Sequence, residues 1–279
     1  MTDFTITRAD GFAPADLHAA NLAAFSDYVA GPIQMTLDQW PSFVGRQGMD
    51  VARSRVAVRD GAIIAFALVC PRPESGRWRL AGMGALPAAR GTGAAPALLD
   101  DFLARAKAED VVHAELECFA ANERALRLYR SRGFDVVCAL NAWKAPDDSA
   151  PARDTRDVHA VDRDTAFAWL DEANRRIAWL PFQNTGRSLG AQPRPLTFWR
   201  CGKAQLVFSA VEGTQTLVHS LVDLDPGLRD AETLGHALRA AHPGAFAPPI
   251  FRDDLGGEAL ARAGFVPHGL NQVLMRCGL

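Results

Sequence analysis

The sequence predicts an α/β (α+β) chain in two successive parts, each a mixed, mostly antiparallel central sheet flanked by helices. Three observations predict it. Short runs rich in β-branched and aromatic residues are punctuated by tight turns such as Asp60-Gly61, the signature of antiparallel hairpins. Segments with apolar residues at helical spacing alternate with these runs. The stretch 80–99, LAGMGALPAARGTGAAPALL, passes from strand to helix through a hinge of small residues, and a weaker copy of the same order follows residue 164.

Residues 4–8 read as the first strand, and Gly11 and Pro14 punctuate the turn after it. Residues 16–25 carry an apolar helical face of Leu17, Leu22 and Phe25. After an irregular stretch from Tyr28 to Met35, residues 37–47 suggest a second helix, with Thr36 as N-cap and Pro41 in the first turn. Residues 54–58 and 62–70 form a hairpin, and 77–86 complete the meander. Gly82 and Gly84 fit a bulge or the close approach of another chain. A helix over 93–107 takes Pro96 in its first turn, where a missing N–H costs nothing. Residues 111–119 form a strand with Val112, Ala114, Leu116 and Cys118 on one face and His113, Glu115 and Glu117 on the other. Asn122 caps the next helix, Gly133 ends it, and 135–143 return as a strand.

The bulk properties exclude several classes. A length of 279 residues with 48% hydrophobic content suffices for buried cores. A net charge of −2 gives no basic field for nucleic acid or an anionic membrane. No apolar run is long enough to span a bilayer, and the opening Met1-Thr2-Asp3-Phe4-Thr5 has neither basic region nor apolar core, so a cytoplasmic protein is expected. The five cysteines are scattered without Cys-x-x-Cys spacing, which points to neither a disulfide framework nor a metal site.

The chemistry concentrates at the hinge. Glycine and alanine after Arg90 leave backbone N–H groups bare at the positive end of a helix, an arrangement that suits a phosphate or pyrophosphate. Arg90-Gly91-Thr92-Gly93-Ala94-Ala95 resembles the Arg/Gln-x-x-Gly-x-Gly/Ala loop of the GNAT acyltransferase superfamily. Asn122-Glu123-Arg124-Ala125-Leu126-Arg127-Leu128-Tyr129-Arg130-Ser131-Arg132-Gly133-Phe134 is similar to that family's later Asn-x-x-Ala-x-x-Leu-Tyr-x-x-x-Gly-Phe motif. The resemblance covers roughly residues 4–145 and implies an N-acetyltransferase that takes acetyl-CoA as acyl donor and needs no metal. It implies that Arg90, Gly91, Thr92, Gly93, Ala94 and Ala95 hold the diphosphate. Met83, Gly84 and Ala85 would meet the pantetheine arm and thioester carbonyl in the gap beside a bulged strand. Asn122 would bond the same arm, and Tyr129 would protonate the leaving thiolate. Residues around the first two helices (Tyr28, Ile33, Met35, Trp40 and Phe43) would wall the acceptor pocket.

The family's usual carboxylate on the strand before the loop is missing from 80–86. Glu115 and Glu117 are therefore the candidate bases, acting through water, with His113 behind them. The acceptor implied is a small-molecule primary amine, handled by a monomer or homodimer. A CoA-binding sensor or assembly module without chemistry is the alternative.

The boundaries expected are 1–146 for the first domain, 147–163 for a Pro- and Asp-rich linker, and 164–279 for the second. In the second part a helix at 164–173 precedes strands at 196–200, 204–211 and 216–224. Setting Pro226 against Pro87 puts Arg229 on Arg90, and Asp230 and Glu232 on Gly91 and Gly93. Gly264-Phe265 then matches Gly133-Phe134, and Leu260 falls where Tyr129 stood. The second part reads as a degenerate copy, with carboxylates where a diphosphate would sit. Trp179, Phe182, Trp199 and Arg187 of this part would be available to wall the acceptor pocket of the first.

Overall fold

The computed structural model describes residues 3–148 and 155–279. The chain divides into two compact units, one of 1–137 with 274–279 and one of 138–273. The division thus falls earlier than residue 146, and the last six residues belong with the first unit. The expected linker at 147–163 is also shorter than its composition suggested. A strand, His159–Ala160, lies inside the span, and a helix starts at Arg163. Residues 149–154 of that linker lie outside the described residues.

The first unit is a mixed sheet with helices packed on it. Its strands are β1 (Thr5–Arg8), β2 (Asp50–Arg59), β3 (Ala62–Arg72), β4 (Arg77–Ala85) and β5 (His113–Phe119). They lie in that order, antiparallel up to β4, and the C-terminal strand Gln272–Gly278 follows β5. β4 and β5 are parallel, and the crossover between them is α3 (Ala94–Ala108). Central position explains β3, whose residues Ile63–Cys70 are buried on both faces. α1 (Pro14–Ala24) and α2 (Trp40–Arg46) cover one core, built on Leu17, Ala20, Trp40, Phe66 and Leu68. The expected 37–47 helix is a 3₁₀ turn, Leu37–Gln39, followed by α2 with Pro41 in its first turn. α3 buries Leu98, Leu99 and Phe102, and α4 (Glu123–Arg130) buries Leu126 and Tyr129.

The second unit carries its own sheet. β6 (Asp135–Lys144) leads into it, followed by β7 (His159–Ala160), β8 (Thr197–Cys201), β9 (Ala204–Ser209), β10 (Leu217–Asp223), β11 (Phe246–Phe251) and the short β12 (Val266–Pro267). The order is β6, β11, β10, β9, β8, β7, with β12 also on β6. Every pair is antiparallel except β10–β11. Helices α5 (Arg163–Arg176), α6 (Gly186–Gly190), α7 (Arg229–Ala241) and α8 (Glu258–Arg262) flank it. Phe182 is buried, and Trp199 packs against a core that includes Phe208, Leu234 and Leu260. No helix among the described residues is long and apolar enough to cross a membrane.

Candidate active site

The sheet of the first unit splits where the site begins. β4 matches β3 residue for residue except at Ala81, an extra residue between the Val69–Leu80 and Leu68–Gly82 pairs. The expected bulge is therefore present, one position before the glycines read as its mark. Parallel pairing with β5 covers only Arg77–Leu80 against His113–Leu116. Beyond Leu80 the two strands part, which leaves the β5-facing backbone of Met83 and Ala85 without a ladder partner. Gly84 lines the gap, but packing accounts for its missing side chain. A Cβ there would lie 2.8 Å from Ala24 Cβ and 3.0 Å from Phe66 Cζ.

The loop after β4 turns through Pro87–Ala89 and enters α3 with Gly91 at φ +85° and Gly93 at φ +89°. Only glycine takes this left-handed conformation at low cost. A Cβ at either position would meet nothing within 4 Å, so the space over the backbone is open. Among the described residues none accepts from the amides of Gly91, Gly93, Ala94 and Ala95. These donors form a concave row at the N-terminus of α3. Thr92 is not part of the row. Its amide and its Oγ1 both donate to the Ala89 carbonyl, at 3.3 and 2.7 Å. Its role as a cofactor contact is corrected to one of closing the turn.

A cleft of about 700 Å³ runs from this row to the split in the sheet. That is the size of a small-molecule or cofactor site. Its walls are the end of α1 with the residues after it (Ala24 to Val29), the 83–96 segment, and the start of α4 (Ala121 to Tyr129). Of the residues singled out from sequence, it gathers Met83, Gly84, Ala85, Arg90, Gly91, Gly93, Ala94, Ala95, Asn122, Tyr129 and Tyr28. Met35, Trp40 and Phe43 instead pack in the core under α1, and Ile33 does not line the cleft.

Asn122 caps α4, its Oδ1 accepting from the Ala125 amide at 3.2 Å. Tyr129 is only 7% exposed. Burial first, then the proximity of Cys118 and Tyr28, pushes its phenol well above the ordinary tyrosine value, so it holds its proton. Burial likewise pushes Tyr28 up to about 12 and the Cys118 thiol to about 12. Arg90 grips Asp27 with both terminal nitrogens, at 2.5 and 2.6 Å, and also donates to the Ala24 carbonyl. Sequence reasoning missed Asp27, because its partner lies 63 residues away.

Glu115 and Glu117 are not brought to the cleft. Glu115 is 1% exposed, held between Arg72 at 2.6 Å and Arg77 at 2.8 Å. Glu117 pairs with Arg79 at 2.7 Å. Alternation along β5 reads as a solvated polar face, but that face is buried against arginines from β3 and β4. Both carboxylates tie the sheet together, and their assignment as bases is corrected accordingly.

The corresponding turn of the second unit has no open donor row. α7 already begins at Arg229, so Asp230 and Glu232 sit inside its first turn rather than over a loop, and the residue-by-residue overlay is corrected on that point. Asp223 accepts from the Ala231 amide at 3.0 Å, Asp225 from Gly227 at 2.9 Å, and Asp230 from Lys203 at 2.7 Å. Internal carboxylates occupy this helix N-terminus.

Residues 23–134 match the model of the acetyltransferase (GNAT) family. The chain thus carries a GNAT acetyltransferase domain, and the cleft lies within its first unit. The fold is shared over the whole chain with a Pyrococcus horikoshii protein, at TM-score 0.68 and 14% identity, covering 100% of this chain and 90% of that one. It is similar to a GCN5-related N-acetyltransferase from Sphaerobacter thermophilus, at TM-score 0.66 and 16% identity, covering 100% and 96%. It is also similar to Eis1 from Mycobacterium abscessus, at TM-score 0.58 and 17% identity, covering 99% and 73%. No curated protein matches the sequence.

Proposed function

We propose that the chain moves an acetyl group from acetyl-CoA to a primary amine of a small molecule by direct attack, with no covalent enzyme intermediate. The observation that carries this reading is the open row of amides at Gly91, Gly93, Ala94 and Ala95, placed at one end of a cleft that leads to the gap between β4 and β5. The row takes the diphosphate. The unpaired backbone at Met83 and Ala85 takes the pantetheine arm and polarises the thioester carbonyl. Holding thioester and amine together supplies much of the rate.

Tyr129 serves the leaving sulfur. An ordinary thiol ionises near 8.5 and an ordinary phenol near 10, and Tyr129 lies higher still. Full transfer to a free thiolate is uphill for such a phenol, so its main contribution is a hydrogen bond to the sulfur as the C–S bond breaks, with the proton following as the thiol forms. Among the described lining residues, Asp27 is paired with Arg90 and Glu123 is exposed near Arg127. The ammonium of the acceptor therefore loses its proton to water. The second unit, with carboxylates at its α7 N-terminus, binds no CoA and serves as a degenerate partner of the first.

The test is thiol release from acetyl-CoA across a panel of amines, for the full chain and for Tyr129→Phe. Amine-dependent release that falls in the variant supports the reading. Thermal stabilisation by CoA with no turnover for any amine would favour a binding module instead.

A further inference from the structure

Arg90 stands directly before the amide row, yet it lends the row neither its backbone nor its charge. Its amide closes the turn ahead of α3, donating to the Pro87 carbonyl at 3.2 Å. Its guanidinium is turned onto the end of α1. Nη1 and Nη2 donate to the two carboxylate oxygens of Asp27 at 2.5 and 2.6 Å, a two-pronged pair of the strong kind. Nη2 also donates to the Ala24 carbonyl at 3.2 Å, at the negative end of the helix. Asp27 and Arg90 both line the cleft that holds the row.

The fold has little need of this pair. The Asp27 side chain is 59% exposed and that of Arg90 29%, and a pair so open to water adds little to stability. The segment after α1 is also held by other contacts. The Phe25 ring meets Phe66 edge-on at 6.0 Å and Tyr28 at 4.8 Å between centroids, and Tyr28 meets Phe119 at 5.6 Å. The Tyr28 amide donates to the Phe25 carbonyl at 3.3 Å, and Ser26 Oγ to the Ala23 carbonyl at 3.0 Å. What the pair does change is the charge of the cleft. Alone, Arg90 would add a full positive charge beside a row of neutral donors. With Asp27 on it, that charge is cancelled.

We propose that Asp27 sets the affinity of the cleft for the donor and for the spent CoA, by occupying the guanidinium that would otherwise add its charge to the grip on the diphosphate. The inference rests on the acetyl-CoA reading above. Acetyl-CoA and CoA carry the same diphosphate. A free cation there would tighten both alike, which adds nothing to transition-state stabilisation and slows departure of the product. The amides of Gly91, Gly93, Ala94 and Ala95 orient the diphosphate, and the clasp keeps the hold weak enough for turnover.

The test is calorimetric titration with CoA and with pantetheine on the wild type, Asp27→Asn, Asp27→Ala, and Asp27→Asn combined with Arg90→Gln. Each Asp27 single variant is expected to bind CoA roughly tenfold more tightly at ~0.15 M salt, the worth of one unit charge about 5 Å from another in a partly screened site. Pantetheine, which lacks the diphosphate, binds as before. The inhibition constant of product CoA falls by the same factor. The double variant, whose net charge is that of the wild type, returns to wild-type affinity. CoA affinity unchanged or lower in both single variants overturns the proposal. So does a gain that pantetheine shares, or one that the double variant keeps. If the wild type binds no CoA, the acetyl-CoA reading itself fails, and this one with it.

Discussion

Glutamate in place of Gly91 puts a carboxylate where the diphosphate is expected to lie. The backbone there has φ +85°, so any side chain costs roughly 1–2 kcal/mol of folding stability. The space above is open, with nothing within 4 Å of a Cβ, so the side chain reaches over the donor row without a clash. One like-charge pair at about 5 Å and an effective dielectric near 20 costs about 3 kcal/mol. Salt at ~0.15 M, with a Debye length near 8 Å, removes about half of that. Binding of CoA should therefore weaken by roughly tenfold, since 1.4 kcal/mol is a factor of ten. Gly91→Ala separates the contributions, because it carries the backbone cost without the charge. Calorimetric titration with CoA and with pantetheine, which lacks the diphosphate, reads the difference. Pantetheine binding should be indifferent to the added charge. If Gly91→Glu binds CoA as tightly as Gly91→Ala, the amide row is not the diphosphate site.

Asp230→Ala, at the matching turn of the second unit, should leave CoA affinity unchanged in the same titration. Tyr129→Phe should lower kcat by roughly a hundredfold or more without raising KM for acetyl-CoA, as for loss of a positioned acid. Because burial raises the Tyr129 pKa, alkaline loss of activity through this group should begin only above about pH 10, the ordinary tyrosine value. The unfolded chain ionises first, so the same shift makes the fold less stable as pH rises past that value. Glu115→Gln should cost about 3–5 kcal/mol in urea unfolding, by stranding Arg72 and Arg77 in the interior. A variant of normal stability with lost turnover would restore Glu115 as a base. Gly84→Ala should destabilise by about 1–3 kcal/mol through its clash with Ala24 and Phe66, seen as a lower thermal midpoint.

Much of the first unit was legible because its signals are local. Asp60-Gly61 marks a hairpin, Pro96 marks a first helical turn, and Asn122 marks a cap whatever surrounds them. The glycines after Arg90 report a left-handed backbone, and the bare amides follow from it. What depended on distant partners was not legible. The 117 and 115 carboxylates look like a wet face until arginines from two other strands are laid over them. Asp27 acquires meaning only when Arg90 folds onto it. The second turn was misread because matching residue types fixed the comparison. The quantity that mattered was loop length, and α7 starts before any loop equivalent to 90–93 can form.

The membership of residues 274–279 in the first unit bears on how this molecule is dissected and how it matures. A fragment ending at residue 146 carries every cleft residue yet leaves the outer edge of β5 bare, inviting strand-to-strand aggregation. The piece that closes that edge is translated after the whole of 138–273. During synthesis, the first unit must wait for 138–273 to emerge before its own sheet is finished.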